Sequence, residues 1–357
     1  MFIAHRGPVR PIRQSKWAAF TTAGLLSIVA NLLLTAPAAA HVKWFCAYDV
    51  AGAPNSLANV LCPDFELLIG MSVLALLIGC LVEPTPVGAA MLRALDRTTA
   101  WVRDNTEAMY RAGVGMFFVA IWAMGGILMT PELKTNSVII GFIHLGIAAG
   151  VLSRRTMPLS GLGIMAIYAV AIWNYGIFHL ADYPIFLGVA LYLILTGLQR
   201  DLFGQRPLDV VRWAAGITLM WASIEKWAYP DWSYPLLAQH PQLTLGFAPD
   251  FYMRAAGAIE FALAFALMWT PLVRRFAAIM LAAMFIGAVV QFGKVDFVGH
   301  SLIIVVLFSV IADRGKTSRE LVRYPWLSPL GYASALAVFL AVYYAGHAAL
   351  FGAAPVA

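Results

Sequence analysis

The chain has 357 residues, of which 61% are hydrophobic and only 12% charged, and its mean hydropathy is +0.79. Such a composition excludes an ordinary soluble globular chain and predicts an all-α, polytopic membrane protein. The net charge of +6, from 24 Lys and Arg against 18 Asp and Glu, has no aromatic-laced basic face behind it, which argues against nucleic-acid binding.

Apolar runs of helical length predict about 11 transmembrane helices, at 17–38, 65–82, 113–130, 136–152, 159–179, 184–198, 211–228, 251–270, 276–292, 299–312 and 328–350. Arg6, Arg10, Arg13 and Lys16 precede the first run. Arg93, Arg97, Arg103 and Arg111, then Arg154 and Arg155, then Arg200, Arg206 and Arg212, then Arg274 and Arg275, then Arg314, Lys316, Arg319 and Arg323 fill alternate connections. The bias of Lys and Arg toward the cytoplasm places these connections there and predicts a multi-pass protein of a bacterial inner membrane, in contact with lipid.

Residues 1–110 combine a first apolar segment, an outward loop, the second span and a basic cytoplasmic connection. Two readings of the first segment stand. It is an uncleaved helix with an interfacial His-Val-Lys-Trp-Phe anchor, or a secretory signal ending at Ala36-Pro37-Ala38-Ala39-Ala40. Cleavage after Ala40 would make His41 the N-terminus, whose amine and imidazole could chelate copper as a metal ligand. Cys46 and Cys62 flank one outward connection and are expected to form a disulfide in an oxidising compartment. The 83–112 connection, with mixed acids and bases, reads as an amphipathic helix with a solvated face.

Residues 111–200 and 211–314 then read as two parallel four-helix blocks, an internal repeat opened by Arg111-Ala-Gly-Val-Gly and Arg212-Trp-Ala-Ala-Gly. Each block carries an Arg pair before its third span, and an acid with a histidine after it: His179 and Asp182 in the first, Asp296 and His300 in the second. A last helix covers 328–350. His144, Asn174 and His179 are too dispersed to define haem ligands, and His144 reads as a packed histidine.

The second block concentrates the chemistry. Glu225 and Glu260 sit in apolar segments, where a carboxylate is costly and marks function. They are the proton-handling, catalytic candidates; Lys226, Lys294, Asp296 and His300 are their charge partners. Trp221, Trp227, Tyr229 and Trp232 are candidates to stack on a quinone, or form an interfacial aromatic belt.

The stretch Gly216-Ile-Thr-Leu-Met-Trp-Ala-Ser-Ile-Glu-Lys-Trp-Ala-Tyr-Pro-Asp-Trp232, followed by Ala256-Gly257-Ala258-Ile259-Glu260, resembles the DoxX/DoxD-like membrane family over about residues 212–314. That resemblance implies a compact four-helix bundle, with Glu225, Lys226, Gly257 and Glu260 at the family's polar and glycine positions. It also implies a link to quinone-dependent sulfur oxidation or membrane redox complexes. The expected function is therefore an inner-membrane redox-associated protein exchanging electrons or protons with a quinone or a redox partner. The alternative is a proton-coupled transporter of a small anion or metabolite, or a non-catalytic membrane subunit. Quinone is the expected cofactor, ahead of haem or copper. No Walker A, Gly-x-Ser-x-Gly or His-Glu-x-x-His pattern occurs.

Overall fold

The computed structural model describes residues 42–315 and 319–352. The expected first span 17–38 and the copper-ligand candidate His41 lie outside the described residues. Among the described residues the chain is all-helical, with only two isolated β-bridges, Ile127–Lys134 and Leu202–Gln205.

Ten principal helices run α1 (Pro63–Val82), α2 (Thr106–Met124), α3 (Val138–Gly150), α4 (Met157–Tyr175), α5 (Pro184–Leu198), α6 (Pro207–Ala228), α7 (Pro249–Ala266), α8 (Pro271–Phe292), α9 (Lys294–Ala312) and α10 (Leu327–Phe351). Proline opens α1, α5, α6, α7 and α8. Its fixed φ suits the first turn, where no intrahelical N–H bond is lost. Gly176 (φ 84) ends α4 and Gly293 (φ 76) ends α8, each adopting a backbone turn that side-chain-bearing residues resist.

Each of the ten expected spans within the described residues falls on one of these helices. Five of them, α1, α4, α8, α9 and α10, are long and apolar enough to cross a membrane. The expected count of about 11 is not reached on that criterion. α3 and α5 have only 13 and 15 residues; at about 1.5 Å per residue they fall short of a ~30 Å hydrocarbon core. α2, α6 and α7 are long enough but carry ionisable residues, among them Glu107, Arg111, Asp209, Arg212, Glu225, Lys226, Arg254 and Glu260.

Helices α2 to α5 pack successively, α5 packs on α6, α6 to α9 continue the sequence, and α9 returns to α2. The result is a ring of eight helices. α1 and α10 pack on each other and clad the α6–α8 side. Small residues let the backbones approach: a Cβ on Gly188 in α5 would stand 2.3 Å from Ala214 Cβ in α6.

The basic connections gather at one end through specific bonds. Arg111 Nε donates to the Val151 carbonyl at 2.7 Å, and Asp96 binds Arg275 at 2.8 Å and Arg314 at 3.0 Å. Asp313 binds Arg206 at 3.0 Å and Arg274 at 3.2 Å. Arg274 and Arg275 are 1% exposed and cross-link α8 to its neighbours. Asp96 lies on the 86–98 helix, which is thereby strapped to the ring rather than presenting that acid on a solvated face. Burial would raise the Asp96 carboxyl, but the two arginines outweigh it and hold it below the ordinary aspartate value.

Candidate functional site

The opposite end holds the buried charges. α6 carries Glu225 and Lys226 on its last turn, and α7 begins after the 229–248 connection and brings Glu260 about three turns into its length. The break at Gly176 turns the chain through a short helix, Ile177–Leu180, and delivers His179 and Asp182 to the same level. The N-terminal segment lies across this end. Asn55 N–H donates to the Ala228 carbonyl at 2.7 Å, while the Tyr229 and Tyr344 hydroxyls donate to the Gly52 and Asn55 carbonyls, each at 2.8 Å.

That segment inserts Lys43. Its ammonium donates to Glu225 Oε1 at 2.6 Å and to Asp182 Oδ2, and the lysine and Asp182 side chains are completely buried. The rings of Tyr48 and Trp232 lie 5.7 Å and 5.5 Å from Nζ, and Trp232 is stacked on Tyr229 at 4.2 Å. Burial alone would depress the lysine pKa; the Asp182 and Glu225 carboxylates outweigh it and hold Lys43 above the ordinary lysine value. Lys43 thus bridges an acid from 111–200 and an acid from 211–314.

Around the triad lie three further polar groups. The buried Glu132 carboxylate accepts from Thr130 Oγ1 at 2.8 Å and from the Tyr183 hydroxyl, with His179 Nε2 at 4.0 Å. Burial pushes the Glu132 carboxyl up, against the hydrogen bonds that favour its charge. Lys226 pairs with Glu260 at 2.5 Å. His300 Nδ1 stands 2.9 Å from Asp296 Oδ2, with its ring between Trp44 and Phe285 at 4.6 Å from each. Trp44 approaches Gly299 so closely that a Cβ there would fall 2.0 Å from the indole.

A cleft of about 70 Å³, lined among others by Asp182, Thr218, Lys226, Glu260 and His300, opens between these groups. That is room for about two water molecules at ~30 Å³ each.

The sequence-derived candidates therefore separate. Glu225, Glu260 and Lys226 meet in the centre, and Asp296 and His300 pair with each other at its wall. Lys294 does not join them: it is exposed at the start of α9 and belongs to no ion pair among the described residues. The Gly293 turn directs the first helical residue outward, and Lys226 supplies the charge Glu260 needs.

Trp221, Trp227, Tyr229 and Trp232 are all buried. Trp227 packs against Phe65 and Trp221 against Phe178 and Tyr343, while Tyr229 and Trp232 stack on each other with Trp232 facing Lys43. Cys46 and Cys62 are both free thiols. Cys62 is fixed at the start of α1, while Cys46 lies on the segment that carries Lys43 into the ring, and the expected disulfide is not formed.

Lys43 and Glu132 escaped the sequence reading as site residues. Lys43 sits among aromatics, the signature of an interfacial anchor, and Glu132 lies in a polar Pro-Glu-Leu-Lys loop. His144 Nε2 donates to the Leu128 carbonyl at 2.9 Å, a packed histidine beneath that loop. Among the described residues no group of three or more His, Cys, Asp or Glu side chains is placed to hold a metal ion.

Comparison of the chain with protein-family models, with curated proteins and with solved structures finds no match.

Proposed function

We propose that the protein is a proton-coupled membrane transporter whose working centre is the acid–lysine network between its two helix blocks. One observation carries this reading: among the described residues, Glu132, Asp182, Glu225, Glu260 and Asp296 are gathered, buried, in one centre whose lysines are Lys43 and Lys226. Carboxylates in surplus over cations in a poorly solvated centre are an arrangement whose charge proton uptake relieves, which suits the centre to taking up and releasing protons. Protonating Asp182 or Glu225 weakens a bridge between the blocks. Proton binding is thereby coupled to how firmly they are tied, the requirement of a carrier that alternates its access.

In this reading the protein is a multi-pass protein of a bacterial inner membrane, the basic connections facing the cytoplasm. The blocks 111–200 and 211–314 are parallel repeats, a reading supported by the matching glycine breaks at Gly176 and Gly293 after each third helix. The resemblance of residues 212–314 to the DoxX/DoxD-like family belongs to the same proposal, as the source of the second block.

The test is proton flux into vesicles of purified protein, followed with an internal pH-sensitive dye under an imposed potential. Glu225→Gln and Glu260→Gln are expected to lower the flux at least tenfold while the proteins remain folded. Flux equal to wild type in both variants overturns the proposal. Turnover with a soluble quinone, without proton flux, would instead carry the redox reading.

A further inference from the structure

The surroundings of Lys43 Nζ have a chemistry of their own. Two carboxylates, Asp182 and Glu225, approach the ammonium from different helix blocks, and two aromatic faces, Tyr48 and Trp232, lie within 6 Å of it. Carboxylates satisfy the N–H donors of an ammonium, and aromatic faces attract its charge without demanding a hydrogen bond. Asp182 Oδ1 is buried and without a hydrogen-bond partner, so the cage retains an acceptor beyond those Lys43 uses.

The occupant is not part of the ring. It arrives on a segment that rests on the ends of the helices, hydrogen-bonded to them through Val50, Gly52 and Asn55 and packed through Trp44 against Gly299 and His300. Two small spaces adjoin the cage, the cleft that reaches Asp182 and a second cavity of about 30 Å³ against Glu225, Tyr229 and Trp232.

We propose that this cage is a binding site for primary alkylammonium ligands, and that Lys43 is its tethered occupant, displaced when such a ligand binds. The inference rests on the transport reading and names its substrate class: an organic amine, whose positive charge replaces that of Lys43 between Asp182 and Glu225. A primary ammonium fits because it offers three N–H donors to the carboxylates. A tetramethylammonium ion offers none and leaves both acids without a hydrogen bond.

The test is calorimetric titration of the detergent-purified full chain with n-propylammonium chloride, at constant ionic strength, with tetramethylammonium and sodium chlorides as controls. Saturable binding of n-propylammonium to the wild type is expected, at least tenfold weaker in Glu225→Gln and at least tenfold tighter in Lys43→Ala, which removes the competing occupant. Lys43→Gln, which keeps a polar stem without the charge, serves if the alanine variant does not fold.

Absence of binding to the wild type overturns the proposal and makes Lys43 a permanent strut. Equal binding by Glu225→Gln, or by tetramethylammonium, overturns it equally. No proton gradient enters the measurement, so its failure and a failure of proton flux are read separately.

Discussion

At the scale of single residues the centre is governed by the cost of an unpaired buried charge. Lys226 and Glu260 have side chains 18% and 7% exposed, with a 2.5 Å contact. Removing one partner of a buried pair costs about 3–5 kcal/mol, because the other is left charged in a poor solvent, whereas neutralising both is far cheaper. Lys226→Met should therefore lower the thermal unfolding temperature in detergent more than the double variant Lys226→Met/Glu260→Gln does. A double variant no more stable than Lys226→Met would contradict the coupling. Glu132 gives a prediction in pH. Its folded carboxyl is raised above the ordinary value of 4.5, chiefly by burial, so the folded chain binds more protons there than the unfolded one. Stability from this group is present below 4.5 and is lost as pH rises through its folded value. Glu132→Gln should flatten that part of the stability–pH curve, and an unchanged slope would show that other groups set it. The acids in apolar helices were legible because the sequence context alone makes them anomalous. Lys43 was not, since its partners lie 139 and 182 residues away and nothing local distinguishes a buried ammonium from a surface one.

At the scale of elements, helix positions were set by apolar run length and by proline and glycine punctuation, which is why the expected spans within 42–352 fall on helices. The contacts between helices were not written locally. Gly257 on α7 shows why: a Cβ there would lie 2.3 Å from the Trp227 indole nitrogen and 3.0 Å from the Ser223 carbonyl oxygen, both on α6. The spacing of small residues suggests close packing, but which helix they meet depends on the ring. Trp227 Nε1 also donates to the Arg254 carbonyl at 3.1 Å, so the indole cannot retreat without losing a bond. Gly257→Ala should cost about 1–3 kcal/mol by overpacking and weaken the Lys226–Glu260 contact next to it. The check is thermal unfolding beside proton flux: both should fall, and Trp227→Phe in the same background, by opening space, should restore part of the stability. A fully stable Gly257→Ala protein would mean that α6 and α7 can separate freely.

At the scale of the whole molecule, closure of the ring decides what holds the blocks together. Two contacts join them, α5 on α6 and α9 on α2, and the Lys43 bridge between Asp182 and Glu225 adds a third. α1 is earlier in the chain than both blocks yet packs on α7 and α8, so a piece of the first half is embedded in the second. The covalent link between the blocks is a short turn over 199–206. Phe203 at its tip is 96% exposed with φ 50, and a side-chain-bearing residue in the left-handed region there contributes strain, not cohesion. An exposed, strained turn is the kind of place where a chain tolerates interruption. Residues 1–203 and 204–357, expressed together with an affinity tag on one piece, should therefore assemble and co-purify in detergent. Since Arg206, Asp209 and Asp313 remain on one piece, the cut spares that ion cluster. Glu225→Ala should reduce the yield of the untagged piece, because it removes one end of the bridge. Assembly that fails with both pieces present in the membrane would show that the turn, strained as it is, is needed to register α5 against α6.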